Sequence, residues 1–209
     1  MKAVLSELKR HMPFTLSGAA FGIIFMILFR NISHETAHEL FFVFHPLHVL
    51  LSALVTASIY TLHTCPREGS RRCNLPILLA IGFVGSVGIA TLSDSLIPYI
   101  AEVLLDMPFR HHHIGIVEKW WLVSGVAVVG VVLAYFNPTT KFPHAGHVLI
   151  STWASLFHIL MAKGAEISIL AYAGIFTFLF LAVWLPCCIS DIAFPMFFVD
   201  SVKRQRAAD

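Results

Sequence analysis

Phe44–Tyr60 reads FHPLHVLLSALVTASIY, and Phe142–His158 reads FPHAGHVLISTWASLFH. Both write His-x-x-His-Val-Leu-x-Ser at the mouth of an apolar run. The first copy places His45 and His48, the second His144 and His147, offset by 99 positions. A second shared phrase follows each copy: SDSLIP at Ser93–Pro98 and SDIAFP at Ser190–Pro195, both Ser-Asp-x-x-x-Pro. Asp94 comes 46 positions after His48, and Asp191 comes 44 after His147. Two motifs in one order at nearly one spacing point to an internal repeat rather than to the bias of an apolar chain.

The surroundings of these phrases set the class. Of 209 residues, 57% are hydrophobic and 12% charged, about half the charged share of an ordinary soluble domain; the mean hydropathy is +0.80. The apolar residues fall in six blocks, at 13–29, 49–62, 75–92, 120–136, 148–162 and 167–185. A membrane-spanning helix needs about 20 residues, and the two short blocks reach that length over their flanking histidine turns. The runs are continuous rather than alternating, which speaks against barrel strands. The expected fold is an all-α polytopic membrane protein of six transmembrane helices. The first block lacks a small-residue cleavage site before Asn31 and reads as a retained helix. A formal charge of +2 gives no ground for nucleic-acid binding.

Basic residues orient the chain. Lys2, Lys9, Arg10, Arg67, Arg71, Arg72, Lys141, Lys203, Arg204 and Arg206 fall on one side, against Arg30, Arg110, Lys119 and Lys163 on the other. This bias predicts cytoplasmic termini in a bacterial inner membrane. Each repeat, 1–110 and 111–209, holds three helices, and three is odd. The second copy therefore enters the bilayer upside down, an inverted-repeat architecture met among secondary transporters.

Histidines at i and i+3 share a helical face, and imidazole ligates zinc, copper, iron and nickel. If the second and fifth helices start at their His-x-x-His and the third and sixth end at their Ser-Asp, each aspartate shares a depth with one histidine pair. The expected metal ligands are His45, His48 and Asp94 at the outer mouth and His144, His147 and Asp191 at the inner, each a three-ligand set with a vacancy. Zinc is the first candidate, with iron, nickel or copper as others, and Ser93 and Ser190 would support their aspartates. The plainer alternative makes the histidines polar helix starts, helped by Pro46 and Pro143, and the aspartates ordinary helix ends. Haem or another ligand is a third.

Other residues are less specific. His34, Glu35, His38 and Glu39, with His111, His112 and His113, fall on the outer side, as cation gatherers, a solvated loop or a pH sensor. His63 and His158 have no counterpart in the other repeat; His158 lies inside an apolar block, as a functional group or a hydrogen-bonded core histidine. Gly82, Gly85 and Gly88 form a packing stripe, and Trp120 and Trp121 with Lys119 mark an interface. AEVLLDMPF after Pro98 is expected as an interfacial helix with Glu102 and Asp106 facing water. Cys65, Cys73, Cys187 and Cys188 are expected to be inert thiols.

The functional expectation is a small integral membrane transporter or binding protein for a divalent transition metal, more a carrier than an enzyme. The alternatives are a membrane-embedded metal-dependent hydrolase, in which the metal activates water, and an accessory subunit of a larger membrane complex. The expected partners are the lipid bilayer and a metal ion, with a homo-oligomer or larger membrane complex left open.

Overall fold

A computed structural model describes residues 2–65, 74–164, 167–188 and 194–199, without the side chains of 2–8, 10–11, 14, 141–145 and 187–188. The described residues are mostly helical and contain no strand. The elements are α1 (Lys2–Leu28), α2 (His34–Thr64), α3 (Leu75–Thr91), a π-helical turn (Leu92–Leu96), α4 (Ile97–Leu104), α5 (Gly115–Glu118), α6 (Trp120–Phe136), α7 (Lys141–Ala162) and α8 (Ile169–Cys188).

Two helix boundaries differ from the sequence expectation. The first concerns α2, which does not open at His45. Ser33 is its N-cap: the Ser33 side chain accepts from the Thr36 backbone N–H at 3.1 Å, and Glu35 suits the positive helix end. His34 and His38 are therefore in the first turns of α2 rather than in a loop, and Pro46 is inside the helix. The reading of His45 and His48 as helix starts is overturned, because a local cap outranked proline as the start signal. The second concerns Ser93–Pro98, which does not end a helix. The chain passes from α3 through the π turn into α4 as one apolar helix, Leu75–Leu104. Pro98 lies at the first positions of α4, just where the wider π turn has already broken the regular bonding.

Among the described residues, three helices are long and apolar enough to cross a membrane: His34–Thr64, Leu75–Leu104 and Ile169–Pro186. Thr15–Leu28, Trp120–Phe136 and Gly146–Ala162 are shorter apolar helices. Large apolar side chains such as Phe21, Leu28, Val84, Leu104 and Phe136 face outward. An exterior of this kind suits lipid rather than water.

α2 is the central rod, packed by α7, α6 and α3. Close approach is made possible by missing side chains. A Cβ on Gly130 of α6 would come within 2.8 Å of Ala53 Cβ, and one on Gly82 of α3 would run into Val131. Gly85 also meets close neighbours, whereas Gly88 faces open space, so the expected stripe is used at two of its three positions. α2 and α7 run antiparallel. The His34 ring donates from Nδ1 to the Met161 carbonyl at 3.0 Å at one end, and Thr139 N–H donates to Ser58 Oγ at 3.0 Å at the other. α1 packs on α8 and α7, and α3 on α6. Cys65, expected as a free thiol, is disulfide-bonded; the other three cysteines lie outside the described side chains.

Candidate functional site

Asp94 sits in the π turn and is completely buried. Its Oδ2 accepts from His45 Nδ1 at 2.9 Å and from His48 Nδ1 at 2.8 Å. Its Oδ1 accepts from Ser93 Oγ at 2.6 Å and Ser151 Oγ at 3.0 Å. An ionised carboxylate offers about four lone-pair sites, and these four donors fill them. Both histidines are buried on one face of α2, a turn apart. The His48 ring lies parallel to that of His147, with centroids 5.5 Å apart and planes 4° apart. His147 and Ser151 are one turn apart on α7, so the second copy of the phrase serves the same carboxylate as the first. Ser155, a turn further, donates to the Ser93 carbonyl at 2.9 Å and ties α7 to the π turn.

Of the six residues expected to form two metal sites, His45, His48 and Asp94 therefore come together, and His147 joins them instead of standing at the opposite mouth. Asp191 lies outside the described residues, as does the side chain of His144. Sequence reasoning placed the first set at a surface because it ended the third helix at Asp94; the continuous helix carries it inward.

The same π turn positions a second buried pair. Glu102 comes eight residues after Asp94. At about 100° per residue a regular helix would set the two about 80° apart in azimuth. One extra residue in a π turn takes back about 100°, leaving them within about 20° of one face. Glu102, expected to face water, is instead fully buried, and its Oε1 accepts from His158 Nδ1 at 2.7 Å. Glu102 Oε2 and His158 Nε2 are buried without a hydrogen-bond partner, as is His45 Nε2. Phe41 stands between the two units: it stacks on His45 at 5.2 Å and meets His158 edge-on at 5.5 Å. Gly115 closes the far edge of the His45 ring, where a Cβ would collide with the imidazole.

Beyond His158 the helices open onto a histidine-rich end. His113 is 5.9 Å from His158, 5.2 Å from His38 and 5.2 Å from His111, between ring centroids. Burial pushes the His113 imidazole below its ordinary value, and Glu118 beside it pulls partly back. His113 Nδ1 donates to Glu118 Oε1 at 3.0 Å. A cavity of about 780 Å³ opens here, lined by His34, Arg110, His111 and Lys163 among others. His63 lies at the other end of α2, exposed, and donates to the Ile59 carbonyl at 2.8 Å.

Glu102, Ser151 and Phe41 were missed as site residues. Ser151 was legible, since it closes the repeated phrase. Glu102 carried a weaker signal, a carboxylate in an apolar stretch directly after Asp94. Phe41 had none. No family model matches the chain, and no curated protein and no solved structure matches it.

Proposed function

We propose that the protein is an integral membrane transporter for a divalent transition metal, with His45, His48 and His147 around Asp94 as its ion-handling centre. The observation that carries this reading is the pair of fully buried imidazoles held through Nδ1 by one buried carboxylate oxygen. A carboxylate on the Nδ1 side fixes the ring and raises the basicity of Nε2, the arrangement that supports metal-bound histidine. Asp94 has no lone pair to spare, so its part is to orient the imidazoles and supply charge, and the ligating atoms are ring nitrogens.

Charge balance supplies the transport logic. A buried carboxylate among neutral imidazoles is an uncompensated anion, costly in an apolar bundle. An arriving divalent cation supplies the missing positive charge, and it is neutral imidazole that ligates it. Structural need alone accounts poorly for such a group, since buried ion pairs seldom add stability over apolar packing. A depth between the helix ends also suits a transport site.

The inverted-repeat reading draws support from the packing. The pairing of α1 with α8 has its counterpart in α3 with α6, and that of α2 with α3 in α7 with α8. His48 and His147, equivalent in the two repeats, face each other across antiparallel helices, as residues on a two-fold axis would.

The test is Zn²⁺ uptake into vesicles reconstituted with wild type, His48→Ala and His63→Ala, with folding checked for each. His48→Ala is expected to abolish uptake, while His63→Ala behaves as wild type. Equal uptake by all three, or none by the wild type across zinc, iron, nickel and copper, overturns the reading.

A further inference from the structure

The histidine end holds a second set of potential ligands, distinct from the Asp94 centre. His38 from the start of α2, His113 from the loop before α5, and Glu118 from the end of α5 each offer one ligand atom, all within 4.8 Å of one another. His113 Nδ1 is 3.0 Å from Glu118 Oε1, and His38 Nε2 is 3.6 Å from Glu118 Oε2. Ligands bound tetrahedrally at about 2.0 Å stand roughly 3.3 Å apart. The three ligand atoms lie within 4.8 Å of one another, so side-chain movements of about an ångström bring them to that spacing. We propose that His38, His113 and Glu118 form a divalent transition-metal site at this end of the molecule, independent of what the Asp94 centre does.

The His113 nitrogen beside Glu118 is Nδ1, and an ion bound there takes the place of the proton in that hydrogen bond. The remaining charges leave the set usable. Arg110 is paired to Asp106 at 3.0 Å, Lys119 Nζ lies 4.1 Å over the Phe42 ring, and Lys163 is held by the Arg30 carbonyl. Glu118 therefore faces imidazoles rather than a competing cation. Two imidazoles and one carboxylate suit zinc, cobalt, nickel or copper; magnesium and calcium want oxygen ligands in greater number. His38 and Glu118 are partly exposed, so water can complete the set and the ion can exchange. With the His113 ring 5.9 Å from His158, an ion held here is at the head of the buried file that leads inward.

The experiment uses Zn²⁺ and the full chain in lipid nanodiscs, with bound metal measured by elemental analysis after desalting. The centre variant His45→Gln/His48→Gln is expected to retain one Zn²⁺ per chain, and adding either His38→Gln or Glu118→Gln should remove it. Retention of that ion in both triple variants overturns the outer site, and so does a centre variant that holds none. Identical zinc content in wild type and centre variant instead counts against the Asp94 centre and leaves the outer site standing. Where the centre variant does not fold, Co²⁺ absorption of the wild type decides. His38 and Glu118 are about one-third exposed, so His38→Gln and Glu118→Gln tolerate substitution and should each weaken the tetrahedral cobalt bands by the outer site's share; an unchanged spectrum refutes the site.

Discussion

Asp94 answers four donors at once, and the choice of replacement separates charge from hydrogen bonding. Asp94→Asn keeps an acceptor oxygen and the shape; the hydroxyls of Ser93 and Ser151 can turn, and an imidazole can switch tautomer. Asp94→Leu strands two imidazoles and two hydroxyls in an apolar interior. Asp94→Leu is expected to lower stability by about 3–5 kcal/mol and Asp94→Asn by clearly less, read from unfolding in detergent, while both lose Zn²⁺ binding at the centre. Equal stability losses would mean that the hydrogen bonds contribute little. His113 gives a pH signature outside the apolar spans. Its imidazole is held below the ordinary 6.5 chiefly by burial. In the unfolded chain it takes up a proton near 6.5, so the unfolded state binds more protons below that value. The stability that depends on His113 is thus present above pH 6.5 and is lost as the pH falls. An NMR titration of the metal-free protein should place the His113 midpoint below 6.5, and Glu118→Gln should move it lower still; a midpoint above 6.5 contradicts this.

At the level of elements, the π turn decides which carboxylates face the bundle. Deleting Leu96 returns the segment toward a regular helix and rotates α4 by about 100° against α3. Helix content should persist by circular dichroism while the Glu102–His158 pair is lost and the protein destabilised. Adding Glu102→Leu to the deletion should recover part of the loss, because the misdirected carboxylate is then gone; no recovery would show that the turn matters only for α4 packing. Packing elsewhere follows simple volume: Gly130→Leu drives a side chain into Ala53 and the α2 backbone and should cost about 1–3 kcal/mol in thermal unfolding. These elements also show what a sequence reveals. The apolar blocks, the glycine approaches at 82 and 85, and the grouping of His45, His48 and Asp94 follow from spacing and hydropathy, which act locally. The start of α2 and the length of the third apolar helix did not. Ser33 caps by a side-chain bond that competes with a proline signal, and a π turn lets a helix run through Ser-Asp-x-x-x-Pro, where local rules place an end. Once those boundaries move, the depth of the centre moves with them, and His147 becomes its neighbour.

For the molecule as a whole, cysteines introduced at Lys119 and at Asn137 test the course of the chain. Placed at opposite ends of α6, they should react with an impermeant thiol reagent from opposite sides of sealed vesicles; labelling from one side would place α6 flat on the membrane. The unequal helices carry a further consequence, which concerns the mechanics of the lipid. α6 has 17 residues and α2 has 31, lengths of about 26 and 46 Å, and a typical hydrocarbon core is about 30 Å. α2 is packed by α7, α6 and α3, so much of its length meets protein rather than lipid. α6 shows its apolar flank outward, with exposed Trp120 and Trp121 at one end and Phe136 at the other, aromatic anchors that fix where the acyl chains stop. In a bilayer, lipid against that flank would thin to meet them, and thinning there would shorten the hydrophobic barrier beside α6. Stability in a series of phosphatidylcholines of increasing chain length should therefore peak at short chains, and a long-chain bilayer should strain α6 first.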